Sequence, residues 1–262
     1  MNPSFPVIEM RGVTVSALRD SARIVVRDVD WSVAAQEFWV VAGAPGAGKS
    51  DFLMLAGGLM SPLTGNYQLL GHLMPIFEDS ELAERLRLGF VFDGGQLFNQ
   101  LTIAENIALP LRYHRNLPRS GTEEMTAKLL ELLELTSWAN NTPANVPRAW
   151  LKRAGLARAL MLKPEVLLLD NPLAGLDARH TFWWLNFLGE LNRGHRWLDD
   201  KPMTLVATAD DLRPWRTGER KFALLNEKKF IPLGGWHDVE QSEEPAVKEL
   251  LAAHAIDPRG GI

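Results

Sequence analysis

The chain has 262 residues and not one cysteine, which excludes disulfides and thiolate metal sites. A cysteine-free composition suits a reducing compartment. Basic charge is not in excess either: 28 Lys and Arg face 32 Asp and Glu, for a net charge of −4. With no positive field, nothing recommends nucleic acid as a partner. No stretch reaches 18 uninterrupted apolar residues, so no segment is expected to span a bilayer. The first ten residues carry Pro3, Pro6 and Glu9 and lack a basic start with an apolar core, which reads against a signal peptide. Internal repeats and low-complexity tracts are absent. What is present is 46% apolar residues, enough for a sizeable core in one large domain or two small ones.

The informative stretch is Gly43-Ala44-Pro45-Gly46-Ala47-Gly48-Lys49-Ser50, a complete Gly-x-x-x-x-Gly-Lys-Ser phosphate loop. It follows an apolar run, residues 38–42, that reads as a buried strand. It precedes Phe52, Leu53, Leu55 and Ala56, which suit a helix. Backbone N–H groups of such a loop point at phosphates, and the helix N-terminus adds its dipole. Lys49 is expected to reach the β- and γ-phosphates, and the Ser50 hydroxyl to ligate Mg²⁺. A second run, Val166-Leu167-Leu168-Leu169, looks like a central parallel strand and ends at Asp170. An acidic residue there can hold Mg²⁺ through water. The loop and Asp170 together indicate a P-loop NTPase, with Mg²⁺ held beside the phosphates.

Residues 7–10, 24–26, 31–33, 67–70 and 88–92 read as further short strands, and residues 61–65 as a turn. From residue 93 to about residue 160 the texture is helical. Ser120 with Glu123 suggests a capping box, followed by Met125, Leu129, Leu132 and Leu133 on one core-facing side. A helix over 179–191 and a strand over 203–207 come next. Residues 222–225 and 230–233 suit a closing hairpin whose Pro232 demands an edge position. Beyond Glu240 the tail is acidic, then mildly amphipathic at Val247, Leu250 and Leu251. Strands alternating with helices around a phosphate loop imply a parallel α/β sheet with nucleotide at the strands' C-terminal ends.

The chain resembles the ATP-binding subunits of ABC transporters over roughly residues 7–235. The resemblance is carried by Arg27-Asp28-Val29, Ala56-Gly57-Gly58-Leu59, Gly89-Phe90-Val91-Phe92, Leu97-Phe98 and Leu101-Thr102-Ile103-Ala104-Glu105-Asn106-Ile107. Further on it rests on Leu156-Ala157-Arg158-Ala159-Leu160, Leu167-Leu168-Leu169-Asp170 and Ala174-Gly175-Leu176-Asp177. Within the family, residues 106–114 look most like the subunits of MCE-associated, Mla-type lipid transporters. The resemblance implies an ABC-type ATPase core (residues 1–92 and 161–240) with an inserted α-helical subdomain at about 93–160. It also implies an N-terminal antiparallel β-subdomain; residues 241–262 form a C-terminal tail. It implies as partners transmembrane permease subunits and a second nucleotide-binding subunit, in a homodimer or a heterodimer. The expected location is the cytoplasmic face of the cell membrane, held there through the permease.

Several positions depart from the family pattern. Asn171 stands where the family has a glutamate that serves as general base or positions water; an amide orients water but does not accept its proton near neutral pH. Ala209 stands at the switch histidine, and Asp93 at the glutamine that senses Mg²⁺, where a carboxylate is a weaker metal candidate beside Ser50 and Asp170. The signature Leu-Ser-Gly-Gly-Gln aligns with Val146-Pro147-Arg148-Ala149-Trp150, with Arg148 expected in solvent. No aromatic for stacking adenine lies near residues 15–18; Trp31 is read as core. Asp51, after Ser50, is expected to weaken binding of an anionic nucleotide. Two readings follow: a pseudo-ATPase that binds nucleotide and turns it over poorly, or an active ATPase with non-standard catalytic residues. A soluble P-loop regulator without a membrane partner is a third, against which the docking-like segment 93–114 weighs.

Overall fold

The computed structural model describes residues 6–74 and 82–252; Pro3 and the last residues of the tail, 253–262, lie outside them. The central layer is a six-stranded sheet. In chain order its strands are β3 (Phe38–Ala42), β6 (Leu88–Val91), β7 (Val166–Leu169), β8 (Thr204–Ala209), β9 (Lys221–Asn226) and β10 (Lys229–Gly234). Across the sheet the order is β10-β9-β3-β8-β7-β6, all parallel except the β10–β9 pair. Every residue of β3, β7 and β8 is buried, as their unbroken apolar runs require of strands covered on both faces. Pro232 lies on β10 at the sheet's edge, where a missing N–H leaves no bond unmade.

A second, antiparallel sheet has the order β2-β1-β4-β5, with β1 at Ile8–Ala17, β2 at Asp20–Val33, β4 at Thr64–Leu69 and β5 at His72–Leu73. Residues 24–26 and 31–33, expected as separate strands, belong to the one long β2. The exposed pair Arg27 and Asp28 breaks the apolar pattern, and Asp28 at φ 49° bends the strand without ending it. Residues 61–63 are irregular, and β4 takes in the rest of the expected turn.

Helix α1 (Lys49–Ala56) lies between the two sheets. Its Phe52, Leu53, Leu55 and Ala56 join one apolar core with Val26, Trp31, Val41, Leu168 and Tyr67. Trp31, buried as expected, is a hub there: its ring lies 5.3 Å from Phe52 and 5.5 Å from Phe230. The other face of the large sheet carries the helices α3 (Ile103–His114), α4 (Glu123–Leu132), α5 (Arg148–Leu160) and α6 (Ala178–Arg193), with their own core. The short helix α2 spans Leu82–Arg85, and α7 (Trp236–Glu240) and α8 (Pro245–Leu251) follow the hairpin. The amphipathic tail docks: Val247 and Leu250 are buried, and the Leu250 carbonyl accepts from Leu212 N.

Ser120 does not cap a helix. It sits in a 3₁₀ turn, Arg119–Gly121, and α4 starts at Glu123 behind Thr122, whose hydroxyl donates to the Arg119 carbonyl instead of accepting from the helix. The expected apolar face of α4 is nevertheless correct, with Leu129 and Leu133 buried and Met125 and Leu132 packed on them. The capping box is at α3, where Thr102 Oγ1 accepts from Glu105 N and Glu105 accepts from Thr102 N. We predict that Thr102→Ala lowers stability by about 1 kcal/mol. Ser120→Ala should change it by less than about 0.5 kcal/mol. Urea unfolding of both variants checks the pair.

Candidate functional site: a phosphate-loop cleft

The loop between β3 and α1 is shaped by its neighbours. Gly43 N donates to the Ala209 carbonyl at 3.1 Å, fixing the end of β3 to the end of β8. Gly48 caps α1 at φ 88° and ψ 19°, a left-handed conformation, and an added Cβ would run into Val25 Cγ1 of β2. Gly46 also has positive φ, yet open space lies over it, so the loop's outer surface is free to receive a ligand. Lys49 is buried, and its ammonium donates to the carbonyls of Gly43 (2.6 Å) and Ala44 (2.9 Å). Burial pushes the Lys49 amine below its ordinary range, and the charges of Asp210 and Asp170 oppose that shift.

Above the loop lies a cleft of about 370 Å³, lined by Arg23, Val25, Pro45, Gly46, Gly48, Lys49, Ser50, Asp51, Asp93, Asp170, Asn171 and Asp210. Of the residues singled out in the sequence, Asp93, Asp170 and Asn171 thus meet the loop in one place. Ala47 packs toward the core between the sheets, and Ala209 is buried at the end of β8, behind Asp210. Arg23, Val25 and Asp210 were not named as site residues; Asp210 directly follows the buried strand β8, as Asp170 follows β7.

The far wall is a hydrogen-bonded network. Thr208 Oγ1 donates to Asp170 Oδ1 at 2.9 Å and accepts from Asn171 N at 2.9 Å. Asn171 Nδ2 donates to Asp210 Oδ2 at 3.0 Å. Asn171 sits at φ 45°, in the left-handed region that asparagine tolerates better than most residues. Asp93 is held by Lys152 and by both carboxylate contacts of Arg148. Burial pushes the Asp93 carboxyl up, but Lys152 and Arg148 outweigh it and hold the group below the usual carboxylate range. Arg148, expected in solvent, is 60% exposed and spends its guanidinium on this pair.

Two of these residues have partners that lie far off in the sequence. Asp51 lines the cleft, and its Oδ1 accepts from Leu18 N at 2.9 Å, tying the β1–β2 turn to α1. Trp150 packs against neighbouring rings. Its ring meets His180 edge-on at 5.1 Å, and the Arg153 guanidinium lies 4.6 Å from it and 3.7 Å from Trp183. Residues 146–150 therefore open α5 with an aromatic–arginine stack that reaches α6.

The donor set fits a nucleotide's phosphates: a glycine cradle, a buried ammonium and the dipole of α1. Ser50 and Asp170 face the same cleft and fit a hard cation brought with those phosphates. Among the described residues no group of three or more His, Asp or Glu forms a resident metal site.

This fold and site define an ATP-binding cassette, and comparison with known proteins agrees. The family model for ABC transporters matches residues 26–174, which include the loop, Asp170 and Asn171, and the chain belongs to that family. Among relatives, it is 30% identical over 259 residues to the probable ribonucleotide transport ATP-binding protein mkl of Mycobacterium leprae, covering 98% of this chain and 72% of that one. It is 26% identical over 253 residues to the intermembrane phospholipid transport system ATP-binding protein MlaF of Escherichia coli K12, covering 96% and 91%. Among solved structures, the ADP- and Pi-bound dimer of the ATP-binding cassette MJ0796 matches with TM-score 0.73 and 27% identity, covering 85% of this chain and 95% of that one. The antiparallel β-sheet and the mixed sheet with its helices are those of the ABC-type P-loop fold.

Gly48→Ala tests the cradle. A left-handed alanine costs about 1–2 kcal/mol, before the clash with Val25 is added. The variant should melt lower and lose nucleotide binding, as read by a thermal-shift titration with ADP.

Proposed function

We propose that this ABC transporter ATP-binding subunit serves a lipid-trafficking transporter, binding Mg²⁺-ATP while splitting it slowly or not at all. The observation that carries the second half is Asn171. It occupies the far wall of the cleft, and its amide nitrogen donates to Asp210. With that nitrogen committed, the amide oxygen is left to orient a water but has no affinity for its proton near neutral pH. Phosphoryl transfer depends on positioning and charge stabilisation, so Lys49 and Ser50 hold and orient the phosphates while proton acceptance is missing. Buried Ala209 contributes no side-chain donor to the cleft. One observation favours the rival reading of an active ATPase: Asp210 lines the cleft and is itself a carboxylate.

The lipid assignment rests on the similarity to MlaF, an intermembrane phospholipid transport system ATP-binding protein, and on the likeness of residues 106–114 to Mla-type subunits. Membrane attachment through a permease is supported by an exposed apolar hollow of about 490 Å³ on α3 and the segment before it. It is lined by Phe98, Leu101, Leu109, Pro110, Tyr113 and His114; Phe98 is 54% and Tyr113 79% exposed. No helix among the described residues is long and apolar enough to cross a membrane, so anchoring falls to the partner. In this reading residues 93–160 act as the helical subdomain on the core of residues 1–92 and 161–240, and the chain pairs with a second nucleotide-binding subunit.

Binding and turnover separate the readings. Wild type should bind Mg²⁺-ATP and release negligible phosphate, and Lys49→Ala should abolish binding. Asn171→Glu should raise phosphate release by roughly a hundredfold if the lost base is the defect. Robust release by wild type that Asp210→Asn abolishes would establish the rival reading instead.

A further inference from the structure

Lys152, in the second turn of α5, is 1% exposed. Its ammonium has three donors and meets three acceptors: Asp93 Oδ1 at 3.1 Å, the Asn171 carbonyl at 2.8 Å and the Pro172 carbonyl at 3.4 Å. A buried charge is tolerated only when it is paired and hydrogen-bonded. This one is satisfied entirely by two loops, the one after β6 and the one after β7. Both loops place a residue on the cleft, Asp93 from the first and Asn171 from the second.

Other contacts on the same side of α5 make the joint rigid. Arg148, one turn earlier, shares the Asp93 carboxylate at 3.1 and 3.2 Å. Arg158 donates to the carbonyls of Gly95 and Gln96 at 3.0 and 3.1 Å. At Gly155 an added Cβ would come within 2.8 Å of Gly95 Cα, so helix and loop touch backbone to backbone. Asn171, meanwhile, is fixed at its N–H by Thr208, at its side chain by Asp210 and at its carbonyl by Lys152. A left-handed non-glycine residue held from so many directions is over-determined, as functional positions often are.

We propose that Lys152 is a positioning residue of the nucleotide cleft, one buried ammonium that sets Asp93 and Asn171 around the terminal phosphate of a nucleoside triphosphate. The loop of residues 43–50 cradles the inner phosphates, so what projects toward the opposite wall is the third phosphate. Lys152 therefore governs preference for triphosphate over diphosphate and keys the first turns of α5 to that end of the cleft. The inference rests on the nucleotide reading above and deepens it.

The test is isothermal titration of the full chain with Mg²⁺-ADP and with Mg²⁺-ATPγS, in wild type and Lys152→Met. The substitution should weaken ATPγS roughly tenfold, the scale of a lost hydrogen bond to a charged group, and ADP by less than about twofold. Exchange of the Asn171 amide in nucleotide-free protein should accelerate as well. If Lys152→Met does not fold, Arg148→Met on the exposed arginine carries the comparison and should shift the ratio in the same direction by about threefold. Equal loss for both nucleotides, or no loss, overturns the proposal and leaves the nucleotide reading standing. Wild type that binds neither nucleotide overturns both.

Discussion

The seat of Gly48 against Val25 is the constraint on which the site depends. No other residue brings the backbone so close to β2 while holding the left-handed turn that starts α1. That contact pins the helix N-terminus at the junction of the two sheets. It leaves Gly46 open to the cleft and turns the Lys49 ammonium under the loop. The aromatic hub of Trp31, Phe52 and Phe230 behind it keeps helix and sheets from sliding. Packing far from the ligand thus sets where a phosphate can lie.

Asn171, Asp93 and Trp150, which depart from the family pattern, each have a partner in the structure. Asn171 is matched by Asp210, and Asp93 by Lys152 and Arg148. Trp150 is matched by Arg153, which also stacks on Trp183. Each pair satisfies the group that the substitution introduced. Together they form a wall of ion pairs, amides and an aromatic stack, with the phosphate loop intact opposite it.

Much of this was legible in the sequence, and the limits were physical. Phosphate loop, β3 and β7 could be read residue by residue because unbroken apolar runs between turn residues have few alternatives. Strand β2 could not, since Arg27 and Asp28 interrupt its pattern although the backbone runs on. Ser120 misled because a hydroxyl three residues before a glutamate is a cap only if the helix starts there, and tertiary packing moved the start. Asp51 was read for its charge, while its partner, Leu18 N, lies 33 residues away and leaves no local trace. Lys152 was invisible for the same reason: its acceptors come from two distant loops, and no motif marks it in the sequence.

The central claim is that main-chain amides and one lysine still grip a triphosphate after the groups that would split it have been replaced. Its most direct measurement is a crystal structure of the chain with Mg²⁺-ATPγS. The account predicts the inner phosphates over residues 46–50 within hydrogen-bond reach of the Lys49 ammonium, the metal between Ser50 and Asp170, and the terminal phosphate facing Asn171. A nucleotide seated elsewhere, with Lys49 still bonded to the Gly43 and Ala44 carbonyls, would contradict it.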